Sequence, residues 1–277
     1  MLEADADAVI IAGGQTLVPM MAMRLARPTR LIDILRIPGL RGIHDDGDAI
    51  VVGAATRQAN AAGDFLIAAK VPLLAAALPW VGHAATRSRG TVGGSVANAD
   101  PAAEIPLVLV VLGGEIVVHD SAGERAIAAK DFFVGPMMTA MPRASCVTKI
   151  RFPTTKGGRV GVGFHEISAR RSDFALASAA AQVVLDDGGR CIACAVGVGA
   201  ATNVPIRLDG AAADLVGSML SDAEIGAALR QPVGTLEIMT GPHASDGYRR
   251  RAVRVLAARA LADARDSALA RTGRAAS

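Results

Sequence analysis

The alternation of apolar and polar positions changes period several times along the chain. Ala8–Ile11 is a short apolar run that stops at Gly13-Gly14, which predicts a buried strand entering a tight turn. Residues 17–25 then read as helix. Pro19 falls in its first turn, where a missing N–H costs nothing, and Pro28 stops the segment. Leu31-Ile32-Asp33 and residues 50–54 read as further strands, with Gly47 turning the chain between them. Residues 59–80 are rich in Ala and Leu and predict helix, interrupted near Gly63 and Pro72. Residues 82–101 are small and polar, and a stretch of that length predicts a functional loop. Apolar runs at 107–112 and 116–119 follow, separated by Gly113-Gly114. Residues 147–152 predict a strand that Pro153 ends.

A Gly/Lys-rich stretch at 155–163 marks the expected boundary between a unit of residues 1–155 and a second of residues 160–270. Ala175–Leu185 and residues 191–198 flank Asp186-Asp187-Gly188-Gly189, a hairpin signal. Ser221-x-x-Glu224 is a capping box that opens a helix through Leu229. Val253, Leu256, Ala257, Ala260, Leu261 and Ala264 share one face of a C-terminal helix. The second unit is therefore expected to be α+β with a small antiparallel sheet.

Composition narrows the function. The 277 residues are 51% hydrophobic but only 3% aromatic, so the core must be built from Ala, Val, Leu and Ile. A net charge of +3 with no aromatic–basic interleaving argues against a nucleic-acid partner. No apolar run approaches the ~20 residues that span a bilayer. The acidic start, Met1-Leu2-Glu3-Ala4-Asp5, lacks the basic region of a secretory signal. Three cysteines, an odd number, do not make a disulfide framework, and a cytoplasmic location is expected. Cys191-x-x-Cys194 sits in an alternating strand, where a spacing of three places the thiols on opposite faces; no metal site is expected.

Two glycine loops carry the candidate chemistry. Ala12-Gly13-Gly14-Gln15-Thr16 follows a strand and precedes a helix, so its backbone N–H groups and the helix start can face an anion. It is neither a Walker A loop nor G-x-G-x-x-G. Arg89-Gly90-Thr91-Val92-Gly93-Gly94-Ser95 adds paired glycines and two hydroxyls, with Asp100 and Glu104 placed to accept from ribose. Each loop alone also reads as a structural turn. Together they suit a dinucleotide, without separating FAD from NAD.

The run from Ala12 to Pro19 (with Leu17 and Val18), then Arg24-Leu25-Ala26-Arg27-Pro28 and Leu31-Ile32-Asp33-Ile34, resembles the first flavin loop of the medium subunits of molybdenum hydroxylases. Arg87-Ser88-Arg89-Gly90-Thr91-Val92-Gly93-Gly94-Ser95, with Asp100-Pro101-Ala102-Ala103-Glu104-Ile105-Pro106, resembles their second. Arg170-Arg171-Ser172-Asp173-Phe174-Ala175 and Tyr248-Arg249-Arg250 resemble landmarks of their C-terminal domain. The resemblance covers nearly the whole chain, in order.

It implies an α+β fold: a PCMH (vanillyl-alcohol-oxidase) type FAD-binding domain of two subdomains, then a small C-terminal α+β domain. It implies that Ala12, Gly13, Gly14, Gln15, Thr16 and Leu17, with Thr91, Val92, Gly93, Gly94 and Ser95, hold FAD. Glu104 matches an acidic position at the flavin, Val147 a backbone contact, and Glu166 stands where several relatives place a Lys. Relatives also carry a strand and helix ahead of the first loop, so the first subdomain is expected to lack them and Met1 to be a late start. The implied partners are a large molybdenum-cofactor subunit and a small iron–sulfur subunit, in a dimer of heterotrimers, with no catalytic acid–base pair in this chain. The alternatives are a free-standing FAD-dependent oxidase of the same fold and a flavin-less assembly subunit.

Overall fold

The computed structural model describes residues 2–271; Met1, and with it the expectation about the start, lies outside the described residues. The chain opens with β1 (Ala8–Ile11), α1 (Leu17–Ala22) and β2 (Arg30–Asp33). The two strands pair in parallel, Val9 opposite Leu31, and α1 makes the crossover. The helix ends sooner than the apolar spacing predicts: Met23 caps it and Arg24 takes a left-handed φ of 60°.

Next come β3 (Ile43–Asp45), β4 (Ala49–Gly53), α2 (Gln58–Ala62), α3 (Phe65–Lys70) and α4 (Pro72–Ala77). A 3₁₀ turn, Leu78–Trp80, leads to α5 (Ala84–Arg89), α6 (Val92–Asn98) and α7 (Glu104–Leu112). Residues 82–101 are thus mostly two short helices rather than the predicted loop. Glycine at 93 and 94 weakens any local helix signal, but the Thr91 hydroxyl caps α6 by accepting from the Gly94 N–H at 3.1 Å. Helix α7 is buried from Ile105 to Val111, so it runs through the core instead of along its surface.

Then follow β5 (Glu115–Asp120), β6 (Gly123–Ala128), α8 (Ala129–Phe132), β7 (Phe133–Gly135), β8 (Met138–Thr139) and β9 (Cys146–Pro153). Five antiparallel strands form one sheet in the order β3-β4-β9-β5-β6. Ile50, Val52, Ile116, Ile150 and Phe152 project from it into a core completed by Leu73, Leu74, Leu107 and Leu109.

The rest comprises β10 (Arg159–Ser168), β11 (Ala175–Leu185), β12 (Cys191–Gly199), β13 (Ile206–Arg207), α9 (Asp209–Leu215), α10 (Asp222–Ala228), α11 (Arg230–Gly234) and α12 (Asp246–Ala270). The four strands form an antiparallel sheet in sequence order. The Asp186 hairpin and the Ser221–Glu224 capping box form as predicted. All six residues assigned to one face of the last helix are buried in the second core.

Strand β10 joins the two cores. Phe164 belongs to the first, its ring 6.1 Å from that of Trp80. On the opposite face, a Cβ placed at Gly161 or Gly163 would meet the backbone of Ala264 or Ala260 in α12. Arg249 anchors the start of α12. Its buried guanidinium donates to the carbonyls of Leu176 at 2.7 Å and Ala200 at 2.9 Å. This accounts for one of the sequence landmarks without any ligand.

The cysteine spacing needs correction. Leu185 pairs with Cys191 and Val184 with Ala193, so Ile192 is an extra residue in a β-bulge. The bulge changes the parity of the strand. The side chains of Cys191 and Cys194 therefore meet in hydrogen-bond contact rather than facing apart, and that contact with burial pushes the Cys194 thiol up. All three cysteines are free. Among the described residues no helix is long and apolar enough to cross a membrane.

Candidate flavin site

The first glycine loop leaves β1 and turns at Gly14, whose φ of 71° suits glycine. A Cβ at Gly13 would lie 2.6 Å from the Arg89 carbonyl oxygen and 2.8 Å from the Gly90 Cα. The two loops, over seventy positions apart, are thus packed backbone to backbone. Arg57, at the start of α2, holds the second loop by donating to the Arg89 carbonyl.

The second loop spends its N–H groups internally. Val92 donates to the Thr56 carbonyl at 3.0 Å, Gly93 to Ala54 at 2.9 Å, Gly94 to the Thr91 hydroxyl and Ser95 to the Thr91 carbonyl at 3.1 Å. It therefore offers a ligand the Ser95 hydroxyl and the bare surface of Gly94, and seats α6 on β4. The first loop is different: Val18 N–H returns to Gly14 O at 3.0 Å, leaving the N–H groups at the start of α1 beyond intrahelical reach.

Both loops open onto a cleft of about 790 Å³, within the ~300–1,000 Å³ of ligand sites. Ala12, Gly13, Gly14, Gln15, Thr16 and Leu17 line it, as do Thr91, Gly93, Gly94, Ser95, Glu104 and Val147. Two predicted residues do not. The Val92 side chain is fully buried in the first core, and Glu166, partly buried on β10, is not among the lining residues. The structure adds residues that sequence reasoning missed: Gln58, Thr86, Asn98, the segment 141–146, and Ser172-Asp173-Phe174. Phe174 is 73% exposed at the cleft. The last three come from the Arg-Arg-Ser-Asp-Phe stretch, so that motif was the available signal.

Acidic groups mark one region of the cleft. The Asp100 carboxylate accepts from the Ala102 N–H at 2.9 Å, and burial raises its pKa. Burial pushes Glu104 up to about 7, helped by repulsion from Asp100, against its own backbone N–H and Arg87. Glu166 is pushed up to about 8, by burial and by the charge of Glu104. The charge of Arg87 opposes this as the smallest of the four effects on Glu104, while its Nη1 donates to the carbonyls of Pro79, Val81 and Gly82 at 3.3, 2.9 and 2.8 Å.

Residues 1–155 match the family described as the FAD binding domain in molybdopterin dehydrogenase, and residues 163–264 the CO dehydrogenase flavoprotein C-terminal domain. The chain belongs to this family. It is an FAD-binding oxidoreductase subunit with the α+β fold its sequence implies. It is 37% identical over 258 residues to the alpha subunit of the 6-hydroxypseudooxynicotine dehydrogenase complex of Paenarthrobacter nicotinovorans, covering 93% of this chain and 87% of that one. It is 36% identical to the nicotine 6-hydroxylase medium subunit of the same organism, covering 95% and 92%. The solved quinoline 2-oxidoreductase of Pseudomonas putida 86 superposes with a TM-score of 0.91 at 32% identity, over 97% of this chain and 93% of that one.

The residues present fit FAD. The cleft has the volume for a dinucleotide, the N–H groups at the start of α1 suit an anion, and Leu17, Met20, Ile34 and Val81 offer apolar wall. Ser95, Asn98 and Asp100 offer polar partners for hydroxyl groups.

Proposed function

We propose that this chain carries FAD in the cleft between the two glycine loops and passes electrons from iron–sulfur clusters of a small subunit to an external acceptor. The observation that carries this reading is the convergence of residues 12–17, residues 91–95 and Ser172-Asp173-Phe174 on one cleft. FAD, when bound, supplies the interconversion between one-electron and two-electron chemistry. The chain's own residues bind and orient it. The loop at Gly13-Gly14 and the first turn of α1 take the diphosphate. Ser95, Asn98 and Asp100 take ribose hydroxyls, Val147 makes a backbone contact, and the apolar wall excludes water. Residues 1–155 form the flavin-binding unit and residues 160–270 close one side of the cleft.

Substrate oxidation belongs to a large molybdenum-cofactor subunit, in a cytoplasmic dimer of heterotrimers. The relatives are named for nicotine 6-hydroxylation and for 6-hydroxypseudooxynicotine dehydrogenation, different substrates on one medium-subunit fold, which supports a substrate site on another chain. Affinity purification of the chain from its native host is expected to bring down two further polypeptides carrying molybdenum and iron–sulfur clusters. Substrate turnover by the isolated chain would instead support a free-standing oxidase.

A further inference from the structure

Residues 65–99 hold Lys70, His83, Arg87 and Arg89 and not one acidic residue. Lys70 is paired with Asp45, so the positive charge that remains gathers at α5. This helix is a single layer of wall. Thr86 turns to the cleft, while Ala84, Ala85, Ser88 and Arg89 are exposed on the other side. That division follows the helical period, because positions i, i+1, i+4 and i+5 share one face. A helix is about 10–12 Å thick, so a partner seated on the outer face of α5 comes within about that distance of whatever fills the cleft. The Arg89 guanidinium has no hydrogen bond or ion pair among the described residues. The acids that flank the stretch do not neutralise it. Asp64 caps α3 by accepting from the Ile67 N–H at 3.1 Å, and Asp100 lines the cleft.

Trp80 stands beside this face. Arg87 donates to the carbonyls of Pro79, Val81 and Gly82 and so clamps residues 79–82 to α5. Val81 and Gly82 line the cleft. Trp80, the one tryptophan of the chain, is 41% exposed although its ring packs against the buried Phe164. A half-exposed indole steadied from behind is a rigid apolar anchor, and Trp and Arg lead the residues that dominate protein interfaces. We propose that the outer face of α5, with Trp80, is the docking surface for the small iron–sulfur subunit, which meets it with carboxylates around an apolar seat for the indole. This rests on the reading that the cleft holds FAD fed by iron–sulfur clusters. In that reading the small subunit is the partner that must approach the flavin, and here one helix separates the cleft from the surface. Opposite charge on the two faces supplies orientation and speeds encounter.

The test uses the whole complex, purified through a tagged copy of this chain expressed with its partner subunits in the native host. Ala85 is exchanged for photoreactive p-benzoylphenylalanine, which adds bulk only on the exposed side of α5. Illumination is expected to cross-link the chain to the small subunit. Cross-links to the large subunit or to a second copy of this chain, or none in a complex that contains the small subunit, would overturn the proposal. Hydroxyl-radical oxidation of Trp80 is expected to fall severalfold from the isolated chain to the complex; equal oxidation would overturn it. Arg89→Glu is expected to hold the small subunit at least about tenfold more weakly, with Arg89→Lys close to wild type. Wild-type binding should weaken with added salt more steeply than that of Arg89→Glu. A correctly folded Arg89→Glu chain that binds as wild type does would overturn the charge complementarity. The cross-link is made in a chain with its own Arg89, so it decides even where Arg89→Glu does not fold. A colourless complex that still cross-links would overturn the FAD reading and leave the docking surface standing. A complex without an iron–sulfur subunit would overturn both.

Discussion

Gly163→Val is expected to cost the protein at least about 3 kcal/mol, toward the upper range of overpacking penalties. A Cβ at that position would lie 2.1 Å from the Ala260 carbonyl oxygen and 2.8 Å from its carbon. At Gly161 the distance to the Ala264 carbonyl oxygen would be 1.9 Å. These obstacles are helix backbone, not the ends of flexible side chains, so relief requires α12 to lift off the sheet. Lifting it would expose Ala257, Ala260, Leu261 and Ala264, which are fully buried. The close approach also explains why the buried face of α12 is so rich in alanine: small residues on both elements let a long helix lie almost directly on β10. Since net stabilities run at about 5–15 kcal/mol, the loss should be visible as a drop in melting temperature of roughly 6 °C or more. An unchanged melting curve would contradict this packing.

Gly93→Val is expected to abolish FAD retention, by at least about a hundredfold in affinity, or ~2.7 kcal/mol. The reason is packing, not obstruction of the cleft. The added Cβ would lie 2.4 Å from the Ala54 Cβ and 2.6 Å from its Cα, forcing α6 away from β4. The Gly93 N–H would lose its bond to the Ala54 carbonyl, and the second loop would part from the first. The variant should therefore lose flavin and also melt lower as the FAD-free chain. Flavin loss with unchanged FAD-free melting would mean that Gly93 acts directly on the ligand; full flavin content would remove it from the site.

How far the sequence reads depends on the range of the interactions involved. The hairpin at Asp186, the capping box at Ser221 and the buried face of α12 are governed by contacts a few residues apart, and each was legible. Helices α5 and α6 were not. Glycines at 93 and 94 conceal a helix whose existence rests on the Thr91 cap and on Ala54, far away in sequence. The bulge at Ile192 is likewise invisible to spacing, because one inserted residue inverts which thiols share a face. Strands of two or three residues, such as β8 and β13, carry too little pattern to be seen. For the site, both loops were legible through their glycines and their order. Residues 141–146 and Ser172-Asp173-Phe174 were not assigned to it. They are irregular segments with no period, brought to the cleft only by tertiary packing.

Above all, we propose that the two glycine loops and the cleft they share hold FAD. The flavin content of the chain, purified within its native complex, tests this most directly. Stoichiometric, tightly held FAD with a visible flavin spectrum is the predicted result. A correctly folded, fully assembled complex whose medium subunit is colourless and takes up no added FAD would contradict it.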